Sequence, residues 1–171
     1  EKIIAQYDLD VSRWTRCRRR KEGAASVQYL RFDRFFVILA THGEHPFFTG
    51  EGRALRDIRI NPIHFMDYSI GCRQGRGGGP YHASVRLERT TCQELKRHFE
   101  TVALDWSVEQ IVRHIERLPY EAYAPVRDQL RGILRAVNRR RKAAGVELVP
   151  RTAVQLRRYP VKPFDTGQQA G

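Results

Sequence analysis

The sequence predicts an α+β fold: an N-terminal basic helical element, a small antiparallel sheet, then three helices and a basic extended tail. Three observations carry this. Between Val27 and Leu87 the apolar residues are largely β-branched and aromatic, ending in an alternating run, whereas from Thr91 onward they recur at helical spacing. Strands therefore precede helices instead of alternating with them, the order of an α+β protein. The 171 residues are also 41% hydrophobic, enough to build a core. The expected organisation is a basic helical element at 1–23, an α+β core at 27–164 (sheet 27–88, helices 91–145, basic tail 149–164) and a disordered end at 165–171.

The first segment reads as a short helix around Ile3, Ile4 and Ala5, a break at 8–10, and a second helix that Ser12 caps and Gly23 ends. Val11, Ser12 and Arg13 then lead a helix placed as in a helix-turn-helix half. The alternative is a solvated basic helix that Trp14 anchors to the core. Val27 to Thr41 favours one strand or two, the second reading placing a turn at Asp33 and Arg34, with Phe35 to Ala40 as a central strand. The segments 42–46 and 49–52 read as loop. Ile63 to Cys72 predicts a strand, and Arg73 to Pro80, with four glycines, a hairpin loop. Tyr81 to Leu87 alternates, with Tyr81, Ala83, Val85 and Leu87 facing a core and His82, Ser84 and Arg86 facing away.

Thr91 followed by Glu94, and Ser107 followed by Gln110, are capping-box patterns that open two helices. Pro125 suits the first turn of a third, Val126 to about Ala144, with Val126, Leu130, Ile133, Leu134 and Val137 inward and Gly145 just past its end. Val149 to Phe164 reads as an extended basic segment.

Charge separates the functional classes. Lys and Arg number 31 against 19 Asp and Glu, a formal net charge of +12. Arg13, Arg16, Arg18, Arg19, Arg20 and Lys21 form one block without an acid. The stretch 127–163 adds Arg127, Arg131, Arg135, Arg139, Arg140, Arg141, Lys142, Arg157 and Arg158, among others, against only Asp128 and Glu147. Such clustering calls for a polyanion, and the planar guanidinium grips phosphate or a base edge bidentately. With Arg73 and Arg76 in the glycine loop, these residues form the expected nucleic-acid surface, for DNA or structured RNA. The chain would serve as an accessory subunit of a mobile element, plasmid or ribonucleoprotein, within a larger nucleoprotein complex.

Two other readings compete. His82 on a strand with Tyr120 and Tyr123 later in the chain resembles the arrangement of rolling-circle nucleases and transposases, which implies a His-ligated metal and a tyrosine nucleophile. Ser84 stands where the second histidine belongs. The other reading is a subunit whose basic faces meet an acidic protein. His42 and His45 are three residues apart and make half a zinc site, so no metal is expected. No cofactor is expected either, because the glycine loop lacks the Gly-Lys-Ser/Thr ending of a phosphate-binding loop. Cys17, Cys72 and Cys92 form no Cys-x-x-Cys pair, which suits a reducing cytoplasm. No apolar run approaches the roughly 18–20 residues of a membrane span, and no membrane partner is expected.

Overall fold

The computed structural model describes residues 2–121 and 123–154 of the chain. It is an α+β structure with six helices and two small antiparallel sheets, arranged as two compact units, Glu1–Arg56 and Asp57–Gly171. The division falls well after the expected boundary at residue 23. The reason is a hydrophobic cluster in which Tyr7 and Leu9, beside the first helix, pack with Ala25, Val27 and Phe47, so the first hairpin belongs to the N-terminal helices.

The first unit contains α1 (Lys2–Gln6), α2 (Arg13–Lys21), β1 (Val27–Phe32), β2 (Phe35–Ala40) and α3 (Pro46–Gly50). Ser12 caps α2 by accepting from the Thr15 amide at 3.1 Å, and Gly23, at φ 89°, ends it. Neither α1 nor α2 buries a side chain. Two helices stand where a helix-turn-helix is expected, and half-buried Ile3 and Ile4 of α1 join Tyr7 and Leu9 in holding this part of the chain to the cluster. Trp14, far from anchoring α2, is 83% exposed.

β1 and β2 pair from Val27↔Ala40 to Phe32↔Phe35, leaving Asp33 and Arg34 as the turn. Asp33 adopts φ 51°, the positive value that a primed two-residue turn requires and that aspartate tolerates better than most residues. The Phe35–Ala40 run is an edge strand of this two-stranded sheet, not a central one. One face of the hairpin, with Tyr29 and Ile38, packs on the cluster, while Leu30, Phe32, Phe35 and Leu39 on the other remain exposed. Where loop was expected, His45 caps α3: its Nδ1 accepts from the Phe47 amide at 3.2 Å and Pro46 occupies the first turn. Gly50 ends this helix against Tyr7, whose hydroxyl would lie 2.1 Å from any added Cβ.

The second unit carries β3 (Ile63–Phe65), β4 (Tyr68–Gln74), β5 (Tyr81–Leu87), α4 (Arg89–Thr101), α5 (Val108–Glu116) and α6 (Ala124–Ala143). The strand expected over 63–72 is folded back at Met66, φ 50°, into the β3–β4 hairpin. β5 keeps its expected bounds, but its two faces do not divide as expected. Ser84, on the polar face, is buried, whereas Tyr81 on the other is 52% exposed. The cause lies beside Ser84 in the sheet. Its partner Gly71 has no side chain, and a Cβ there would approach the Ile58 carbonyl and Pro62. The 57–62 segment therefore covers this part of the face.

α4 starts two residues before Thr91, which instead bonds Asp67 through its hydroxyl at 3.3 Å. The Ser107–Gln110 capping box forms as expected. Val126, Leu130, Ile133, Leu134 and Val137 of α6 make the buried stripe, against Leu87, Phe99, Ala103, Ile111 and Ile115. Gly145 follows the helix at φ 70°. Two amides on α6 complete the packing by imitating a strand partner. Gln129 exchanges both hydrogen bonds with the backbone of Leu87, at 2.9 and 3.0 Å, and Asn138 does the same with Val149, at 2.9 and 2.8 Å. Among the described residues no helix is long and apolar enough to cross a membrane.

Candidate nucleic-acid interface

α6 is about 30 Å long at 1.5 Å per residue. Because its buried stripe is continuous, the opposite side must face water. At 100° per residue, Arg131, Arg135, Arg139 and Lys142 fall within about 80° of one another on that side, and all four are exposed. Asp128 is the only acid on the helix, and it meets Arg131 at 3.2 Å. Both partners are exposed, so the pair is weak and solvent-screened. The result is a ribbon of guanidinium and ammonium groups with almost no internal compensation.

The other basic residues of α6 separate from this ribbon. Arg141 was expected among the nucleic-acid ligands, but it is buried at 5% exposure and donates to the backbone carbonyls of Ala103 (2.7 Å), Trp106 (2.8 Å) and Glu147. It joins the α4–α5 connection to the segment that follows α6, and from this buried position it cannot meet a ligand. Arg140 is exposed yet donates to the Glu100 carbonyl at 2.5 Å, tying α6 to the end of α4. Arg127 is half-buried, and its Nε is buried without a hydrogen-bond partner among the described residues. The i, i+4 row starting at Arg127 therefore begins one turn later in practice. Arg157, Arg158 and the side chain of Arg76 lie outside the described residues.

The N-terminal block divides likewise. Arg16 donates to the Val11 carbonyl at 2.6 Å and Arg19 pairs with Asp8 at 2.5 Å, so both brace the turn before α2. Arg13, Arg18, Arg20 and Lys21 are exposed, and Trp14 shares that helix surface. Three of those cations sit in the last turn, where the helix dipole favours positive charge.

The glycine loop is more ordered than a connector. A 3-10 turn spans Arg76–Gly78, the Gly75 amide donates to the Pro80 carbonyl at 3.1 Å, and Gln74 Nε2 donates to the Gly78 carbonyl at 3.1 Å. Gly77 and Gly78 take φ of 69° and 81°, which explains the glycines there; an added Cβ would meet no atom within 4 Å. Arg73 is exposed at the loop's entrance, paired across the sheet with His82.

The constellation of a tyrosine nuclease is not assembled. Tyr120 and Tyr123 stand edge-on to Tyr68, at ring-centroid distances of 6.2 and 6.3 Å. Tyr68 pairs with Leu87, so this aromatic group sits at one end of β5 while His82 sits five positions away, roughly 17 Å along the strand. Burial raises the Tyr120 hydroxyl above its ordinary range, the wrong direction for a nucleophile, and does the same to Tyr68. His45 uses Nδ1 to cap α3, and among the described residues no three His, Cys, Asp or Glu side chains gather as a metal site.

Sequence reasoning missed two residues that matter here. Helical spacing does mark Arg141, which lies four residues after Val137 and seven after Leu134 on the buried stripe, but the two arginines before it draw it into the basic block. Trp14 is read naturally as a core anchor, and only the fold reveals that no core lies beneath it.

Fold and surface together define a small basic α+β protein with an arginine ribbon on its last long helix. No family model, curated protein or solved structure matches the chain, so its function is read from its own residues.

Proposed function

We propose that the chain binds the phosphate backbone of a nucleic acid in the cytoplasm, as an accessory subunit of a nucleoprotein assembly such as that of a mobile element, plasmid or ribonucleoprotein. The single observation that carries this is the exposed ribbon Arg131, Arg135, Arg139 and Lys142, opposed on its helix by Asp128 alone. Four like charges on one helix face repel each other, at a cost that an approaching run of phosphates reverses by releasing counterions. Exposed Arg13, Arg18, Arg20 and Lys21 on α2 and Arg73 beside the glycine loop supply further cations of the same kind. Arginine dominates all three places, in keeping with bidentate contacts to phosphate.

Fluorescence anisotropy with labelled single-stranded and duplex DNA and RNA, between about 50 and 200 mM salt and with or without Mg2+ or Mn2+, tests this. Binding should fall steeply with salt. Replacing Arg131, Arg135 and Arg139 by Ala should flatten the log–log slope on duplex DNA by about 2–3 while leaving the melting temperature nearly unchanged. An unaltered slope removes α6 from the interface. Absence of all nucleic-acid binding at about 150 mM salt, with retention of an acidic protein, replaces the proposal with the acidic-partner reading. Metal-dependent cleavage lost in His82→Ala and Tyr123→Phe would make the chain an enzyme.

A further inference from the structure

Within the second unit, the segment that covers Gly71 also forms one wall of a solvent-open surface groove of about 490 Å³. Arg59 and Ile60 come from that segment, Cys72, Arg73 and Gln74 from β4, and Tyr81 from β5 at the foot of the glycine loop. Asp57 also lines it, and its carboxylate holds Arg59 in a fork, with Nε 2.9 Å from Oδ1 and Nη2 2.5 Å from Oδ2. That fork orients the guanidinium plane, whose Cζ lies 5.6 Å from the centroid of the Tyr81 ring. Tyr81 is nevertheless 52% exposed and Ile60 77% exposed.

We infer that this cleft takes one unstacked nucleobase of a single-stranded or frayed nucleic acid, stacked on the Arg59–Tyr81 pair, with Arg73 meeting the adjoining phosphate. The inference rests on the nucleic-acid reading of α6 and deepens it. Arg59 and Tyr81 offer flat π-faced surfaces, and bases stack on both guanidinium planes and aromatic rings. Asp57 answers the charge of Arg59, so among the described residues Arg73 is the cation of the lining with no ion pair, enough for one phosphate and ill suited to a polyacidic peptide. Gln74 donates one amide N–H to the Gly78 carbonyl, which orients its own side-chain carbonyl oxygen, an acceptor for an exocyclic amino group. Gly77 and Gly78 carry no side chains, so a sugar-phosphate backbone can pass close to the loop. A base held in a duplex cannot reach such a surface; it must be unpaired.

The test uses the full chain with a short single-stranded oligonucleotide carrying 2-aminopurine, a matched duplex, and a glutamate polymer of equal charge. Wild-type protein should quench the 2-aminopurine emission. Tyr81→Ala should weaken single-strand binding roughly 5- to 100-fold and abolish the quenching, with duplex binding within about twofold. Tyr81→Phe should retain both signals. Arg59→Lys keeps the charge but loses the plane, and should also lose the quenching; it serves independently if Tyr81→Ala does not fold. Unchanged single-strand affinity and quenching in Tyr81→Ala or Arg59→Lys, with duplex binding intact, overturns the cleft assignment alone. Loss of glutamate-polymer binding in Tyr81→Ala to the same extent makes the cleft a general anion site and also overturns it. If the wild type binds neither strand form, the α6 reading fails and this inference falls with it.

Discussion

Arg141 and Arg135 are six residues apart on the same helix and have opposite roles, which mutation separates. Arg141 satisfies three backbone carbonyls from a buried position, so Arg141→Ala leaves those acceptors unpaired and opens a cavity. A loss of about 3 kcal/mol or more in urea denaturation is expected, with the folded fraction still binding nucleic acid. Arg135→Ala should do the reverse, weakening binding with a stability change within about 0.5 kcal/mol. His45 supplies a pH-dependent case. Burial holds its imidazole below the ordinary histidine range, with Arg19 adding to the effect and Asp8 opposing it. The unfolded chain therefore binds a proton at a higher pH than the folded one. The contribution of His45 is complete above about pH 6.5 and is lost as the pH falls through the folded value. His114 acts with the same sign, lowered first by burial and then by His98 and Arg117. His45→Asn keeps a cap and removes one titration, so the urea midpoint should vary less between pH 5 and 7 than in the wild type. An identical pH dependence would show that the cap does not titrate.

At the scale of elements, helices whose signals are local were the most legible. The Ser107–Gln110 box, Pro125 in the first turn of α6 and Gly145 past its end all occur where the sequence places them, because each satisfies or terminates a backbone ladder within four residues. The Thr91 box failed because Asp67, from the β3–β4 hairpin, takes the threonine hydroxyl, a contact no local window contains. α3 was missed because its cap is a histidine and the helix is only five residues long. α2 was placed correctly, yet its role depends on what lies beneath it. It buries nothing, so its Trp14 and four exposed cations are available to a partner. Cys17, exposed on this helix, reports on that directly. Saturating nucleic acid should slow maleimide labelling of Cys17 several-fold. Cys92, whose thiol burial pushes upward, should be slow throughout. Undiminished labelling of Cys17 would exclude α2 from the interface.

For the whole molecule, the two units differ in what holds them. The first has a small cluster of Tyr7, Leu9, Ala25, Val27 and Phe47, whereas the second buries a continuous helical core closed by Leu87, Val149 and Val154. Domains near 60 residues are marginal because little of their surface is removed from water. A fragment of residues 57–171 should melt cooperatively by circular dichroism, while 1–56 alone should show no sharp transition. A fragment 57–171 without cooperative melting would mean that its core needs the N-terminal unit. The exposed Leu30, Phe32, Phe35 and Leu39 on the first hairpin fit the same imbalance, since so small a unit cannot cover both faces of its sheet.

The succession of strands before helices, the charge blocks and the ends of α2, α5 and α6 were determined by the sequence itself, because hydrophobic period, capping chemistry and charge act over neighbouring residues. The β1–β2 turn at Asp33 and Arg34 was one of two readings the sequence allowed, and the hairpin pairing decides it. The boundary at Arg56, the burial of Ser84 and the meeting of Arg59 with Tyr81 were decided only by tertiary structure. So was the sorting of arginines into those that hold the fold and those left for a ligand. The helical period puts Arg141 on the buried stripe, but which carbonyls it meets there, from residues distant in the chain, is a property of packing.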